Sequence, residues 1–376
     1  LSGTGFQLMK LRVEGTPSVS EWLASELSTY DKAVVGLDGN VNSFAEVAAM
    51  EQELETKGNI TVRTDADPMA ELWTDRPVIP DNMVSLHPLE YSGESTSSKI
   101  SRVRKHLLDC GADGLLVTAL DEIAWMLNLR GSDVHCNPVF VSYLLISPEN
   151  ITLYINNVKL PEEVKAYLVS EHIDVQAYDS VVEGLRLYAG KSLLVDMSST
   201  NYSLATAVPF DKVRSGVSPI ASMKAVKNKV EQDGFRAAML RDGVAVVKFL
   251  AWLKSAVEAG GQTEISLDER LTALRAEQPK FKGISFDTIV GYEAHGAIVH
   301  YEATPETDIP VQPHGLVLID SGAQYLDGTT DITRTIALGE LSEEQCRVYT
   351  LVLKGHIQLD RCRFPAGACG SQIDAL

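Results

Sequence analysis

Long hydrophobic runs are missing from this sequence. No stretch of about eighteen or more apolar residues occurs, the length that a spanning helix needs. Cysteine is scarce: five among 376 residues, with no Cys-x-x-Cys spacing. An odd, sparse set argues against a disulfide framework and fits a reducing, cytoplasmic compartment. His135-Cys136 has no further ligand close by in sequence and reads as ordinary loop or buried residues. Basic residues are also short, 33 against 51 acidic ones, which leaves a net charge of −18. Nucleic acid and anionic membranes attract the opposite balance, so neither is an expected partner. The opening "LSGTGFQLMKLRVEG" lacks the charge, apolar core and cleavage site of a secretory signal. It also lacks an initiator Met, so the natural start is expected upstream.

What is present is globular text. Hydrophobic residues make up 45% and charged residues 22%, enough core material for two or three domains. Three blocks are legible. Residues 1–90 alternate strand and helix signals: "KAVVGLD" as a buried strand, "SFAEVAAMEQELETKG" as a Ser-capped helix, "NITVRT" as a second strand. The polar stretch at 90–98 reads as a linker. Residues 98–217 form a second α/β block. It has helices over "SKISRVRKHLLDCG" and "ALDEIAWMLNLRG", a hairpin around Pro148–Asn150, and a buried strand "SLLVD". From 218 to 376 the pattern is first helical, with a division or bend expected near Gly234 or Gly243. Next comes a shorter helix with Ser266 as a candidate cap. Strands follow over "ISFDTIVGY", "GAIVHY", "GLVLIDSGAQY" and "TTDITRTIAL". A final helix starts at a Ser-x-x-Gln capping box.

Asp320 ends the apolar run "GLVLI", and Asp331 follows eleven positions later. An antiparallel hairpin over 316–337 has its turn near Tyr325–Gly328. If the pairing centres on Tyr325 and Leu326, facing residue numbers sum to 651 and the aspartates oppose each other. If Asp327-Gly328 makes the turn, the sum is 655 and they are displaced along the strands. Any odd sum leaves them on one face. Like charges so placed destabilise a strand pair by up to about 1 kcal/mol. Either the face is solvated or a shared cation compensates; spacing alone leaves both open.

"IDSGAQYLDGTTDITRT" together with "GAIVHY" resembles the catalytic domain of creatinase-type, pita-bread metallopeptidases. "TALDEIAWMLNLRGSDVHCNPVFVSYLLI" (118–146), "ELWTDRP" (71–77) and "MKAVKNKVEQDGFRAA" (223–238) are similar to the large, three-domain aminopeptidase P group. The resemblance implies an α/β and α+β architecture: two creatinase N-terminal-like domains, then a pita-bread domain, truncated at both ends. It implies release of an N-terminal residue from peptides with proline second, by a hydroxide bridging two divalent metals. Manganese is the expected metal, with Zn²⁺ or Co²⁺ as alternatives. Asp320 would hold one metal and Asp331 would bridge both. His300 would line the substrate pocket as a catalytic residue, with His295 at its rim. Thr333, two positions after Asp331, could hydrogen-bond a ligand carboxylate. The family's further His and two Glu ligands would lie beyond Leu376, so this polypeptide alone is expected to be inactive. A homodimer is implied by resemblance only.

Two other functions compete. A non-catalytic peptide-binding module of the same fold would lack metal ligands. A prolidase acting on dipeptides would lack the additional α/β block ahead of residue 98. The remaining histidines, His87, His106, His172, His314 and His356, read as surface or loop residues, and Trp125 and Trp252 as core.

Overall fold

The computed structural model describes residues 3–376. The chain divides into two compact units, one through Gln232 and one from Asp233 onward.

In the first unit, helix Phe44–Gly58 connects two parallel strands, Val34–Gly36 and Thr61–Arg63. Ser43 and Glu46 close a capping box at its start, and Asn59 ends it in a left-handed conformation. Leu54 and Ile60 anchor a small core beneath it. A six-stranded mixed sheet forms the larger part. Its order is Val213–Ser215, Leu193–Val195, Gly114–Val117, Tyr143–Ile146, Ile151–Tyr154 and Asp174–Gln176. Strand Gly114–Val117 is buried on both faces, as its unbroken apolar text requires. Two expectations are corrected here. The stretch at 90–98 is partly helical: Leu89–Ser92 is a helical turn, and helix Thr96–Asp109 begins inside it. Glu94 O accepts from Asn128 Nδ2, which ties the stretch down. The helix expected to reach Gly131 stops at Leu127, because Asn128 takes the left-handed cap.

In the second unit, the expected break at Gly234 or Gly243 is absent. One helix runs from Lys229 to Ala259; the interruption lies earlier, at 226–228. Helix Glu264–Ala276 follows, capped by Thr263, while Ser266 returns the reciprocal bond. Central strand Leu316–Ser321 pairs antiparallel with Ile289–Tyr292 on one side and Ile332–Ala337 on the other. A second small sheet joins Phe281–Ile284, Ala323–Tyr325 and Gly328–Thr329. Phe249, Leu253 and Leu267 pack with Val317 and Ile319 to form the core. Burial alternates strictly along the central strand. Val317 and Ile319 point inward, so Leu318 and Asp320 stand on the opposite face. Asp242 and Arg275, both fully buried, pair through bonds of 2.8 and 3.0 Å. "GAIVHY" is not a strand. Glu293–Ala297 is a short 3₁₀ helix and His300 sits in a turn. The β-branched Ile298-Val299 pair favours a strand locally, but among the described residues no ladder partner pairs with it. Helix Glu343–Asp360 begins at the capping box of Ser342 and Gln345.

Candidate metal centre

The hairpin register fixes the acidic pair. Asp320 pairs with Thr333, and Tyr325 with Gly328, so facing numbers sum to 653. The value lies between the two expected registers, and it is odd. Asp331 therefore shares a face with Asp320, one diagonal step along the hairpin. The two-residue turn is Leu326-Asp327. Asp327 is buried and pairs with Arg241 and, at 2.9 Å, with Lys280.

Asp320 is half-buried and Asp331 is exposed. The Asp331 carboxyl is pushed above the ordinary aspartate range. Partial burial contributes most, then the negative charge of Asp320, then a hydrogen bond between the two carboxyls. Thr333 Oγ1 donates to Asp320 Oδ1 at 2.7 Å and fixes that carboxylate's orientation. Crowded, all-oxygen donors backed by an orienting hydroxyl suit a hard divalent cation. The residues present therefore fit the metal that the resemblance implies.

The loop carrying the two histidines lies across the same sheet face. A Cβ at Gly291 would lie 2.7 Å from Gly296 N. A Cβ at Gly296 would lie 3.6 Å from Leu318 Cβ. Leu318 is two residues from Asp320 on that face. His300 is exposed, with a left-handed φ of 55°. His295 is not a free loop residue: its Nδ1 lies 3.0 Å from both Glu264 carboxylate oxygens. Its ring also lies 4.4 Å from that of Tyr301. Glu264, fully buried, was missed by sequence reasoning. An acid in a helix's first turn is ordinarily explained by the helix dipole, so the sequence carried no signal for it.

Comparison with known proteins follows the same lines. Residues 75–231 match the family model for the creatinase/prolidase N-terminal domain, and residues 233–376 match metallopeptidase family M24. A "Probable Xaa-Pro aminopeptidase P" of Leptosphaeria maculans is 35% identical over 384 residues, covering 99% of this chain and 63% of that protein. One of the same name from Arthroderma gypseum is 37% identical over 386 residues, covering 99% and 60%. The crystal structure of X-prolyl aminopeptidase from Caenorhabditis elegans, described as a cytosolic enzyme with a di-nuclear active site, has a TM-score of 0.88. It is 32% identical, over 98% of this chain and 61% of that one. Xaa-Pro dipeptidase from Bacillus anthracis shares the fold, at 23% identity and a TM-score of 0.59 over 75% of this chain and 76% of that one. The chain spans about six tenths of the length of the curated relatives it matches. The stretch that matches metallopeptidase family M24 is thus the one that bears Asp320 and Asp331, and it follows a stretch that matches the creatinase/prolidase N-terminal domain.

Proposed function

We propose that this protein is a metal-dependent aminopeptidase that releases the N-terminal residue from peptides with proline in second position. The observation that carries the reading is the pair Asp320 and Asp331, held together on an open sheet face with Thr333 bonded to one of them. Two divalent ions, manganese by preference, would be held in part by these carboxylates. When bound, they supply Lewis acidity toward the scissile carbonyl and activation of water. The chain's own residues do the rest. Thr333 limits the rotation of Asp320, so the carboxylate is oriented before any ligand arrives.

His300, on the loop above Leu318, is the residue we assign to substrate contact and proton transfer. Its exposure leaves both ring nitrogens accessible to a peptide. His295 Nδ1 is engaged by Glu264, so Nε2 is the nitrogen it can offer at the pocket rim. The two relatives named aminopeptidase P are 35% and 37% identical, whereas the dipeptidase is 23% identical. That contrast favours the aminopeptidase over the prolidase, and the retained pair Asp320 and Asp331 favours it over a non-catalytic binding module. We also read the first unit as two creatinase N-terminal-like domains, 1–90 and 98–217: the two-stranded parallel sheet and the core around Leu54 lie in the first, the six-stranded sheet in the second, and Ser85–Leu86 of the first pairs with Leu129–Arg130 of the second. A homodimer and a cytoplasmic location belong to the same reading. They rest on the family resemblance and, for location, on the description of the worm enzyme as cytosolic.

The test uses the full-length protein loaded with Mn²⁺ and two peptides that differ only in proline or alanine at position two. Cleavage of the proline peptide alone, with two metals per chain by elemental analysis, is expected. Equal cleavage of both, or none by a metal-replete protein, would overturn the assignment. Asp331→Asn should lower kcat by at least about a hundredfold, as loss of a carboxylate that would hold the metal implies.

A further inference from the structure

The segment from Glu293 to Tyr301 is an awkward piece of chain. Near each end it carries a non-glycine residue in the left-handed region, Glu293 at φ 50° and His300 at φ 55°. Such backbone persists only where the surroundings hold it. One buried side chain does most of the holding. Glu264, with no exposed surface, accepts the backbone N–H of Tyr292 at 2.8 Å, just before the segment. It meets His295 Nδ1 at 3.0 Å in the middle. It accepts the hydroxyl of Tyr301 at 3.0 Å, immediately after His300. A charged acceptor buried with several donors makes strong, mutually supporting bonds. Glu264 is itself fixed at the start of its helix, where the dipole favours its charge. Asp308 Oδ1 caps the neighbouring Ile265 N–H at 3.1 Å.

We propose that Glu264 is a positioning residue: through Tyr292, His295 and Tyr301 it sets the backbone that presents His300 to the substrate. The proposal rests on the role given to His300 above. Glutamine is nearly isosteric but replaces one acceptor oxygen by a donor, which then faces His295 or Tyr301. Tyr301→Phe removes one donor and keeps the ring.

The experiment uses the full-length, Mn²⁺-loaded protein. It compares Glu264→Gln, Tyr301→Phe, His300→Ala and the Glu264→Gln/His300→Ala double variant. Glu264→Gln should lower kcat by about tenfold to a hundredfold, the weight of charge-assisted bonds lost. KM should move by less than about threefold, and bound metal should not change. In the His300→Ala background Glu264→Gln should cost nothing further, because both act through one side chain. Amide exchange across 292–301 should quicken in Glu264→Gln while the melting temperature stays within a few degrees. Additive losses in the double variant, or unchanged exchange, would overturn the proposal. If Glu264→Gln does not fold, Tyr301→Phe carries the same kcat and exchange comparison. A wild-type protein that cleaves no Xaa-Pro peptide would end the functional reading, while the exchange measurement would still decide whether Glu264 holds the loop.

Discussion

Asp331 is an acid whose folded-state proton affinity is raised, with burial as the first cause and Asp320 as the second. The folded protein therefore binds that proton more tightly than the unfolded chain. The resulting stability is fully present below the unfolded value, about 3.9, and is lost as pH rises through the raised folded value. At neutral pH and without metal the pair is a liability. Asp331→Asn should then raise the melting temperature of chelator-treated protein by about a degree, given the usual cost of like charges on facing strands. With Mn²⁺ present the same variant should melt lower than wild type, because it loses a ligand. Calorimetry with and without chelator checks both signs. The shared face of the two aspartates was legible for any turn that makes the sum of facing numbers odd. Their register was not. Arg241 and Lys280 grip Asp327 and fix the turn at Leu326-Asp327, and neither cation is near it in sequence. Thr333, read as a supporting hydroxyl, makes that bond.

Helix Lys229–Ala259 contains two glycines with opposite expected behaviour. A Cβ at Gly234 would lie 2.3 Å from the carbonyl oxygen of Asp327, while one at Gly243 meets nothing within 4 Å. Gly243→Ala should stabilise by about 0.5–1 kcal/mol through helix propensity. Gly234→Ala gains the same propensity but must push the hairpin turn away, so a net loss of about 1–3 kcal/mol is expected. Urea denaturation of the two variants separates these outcomes. The same helix supplies Asp242, which accepts from the Tyr325 hydroxyl at 3.0 Å and pairs with buried Arg275. Asp242→Ala strands that guanidinium and should cost about 3–5 kcal/mol by the same measurement. Element identity was largely readable from periodicity and caps: Ser43 with Glu46, and Ser342 with Gln345, start the helices expected of them. "GAIVHY" was misread because strand propensity is local, whereas Glu264 binds that loop from about thirty residues away.

At the scale of the whole molecule, the core of the second unit lies on the face of its sheet opposite the acidic pair. Val317 and Ile319 face inward while Asp320 stands on the other face of its strand. A metal held there serves chemistry and does not organise the core. Chelation should therefore abolish Xaa-Pro cleavage in the full-length protein while leaving the far-ultraviolet dichroism unchanged, unlike a structural zinc domain. Among the described residues, no helix is long and apolar enough to cross a membrane, in line with the absence of long apolar runs. The sequence by itself determined what depends on neighbours along the chain: helix starts, buried strands and the common face of Asp320 and Asp331. Caps, periodicity and side-chain alternation act over a few residues, so they can be read directly. Only the tertiary structure decided the hairpin register, the continuous helix through Gly234 and the engagement of His295 by Glu264. Those outcomes are set by burial and by charges brought together across long sequence separations, where spacing carries no information.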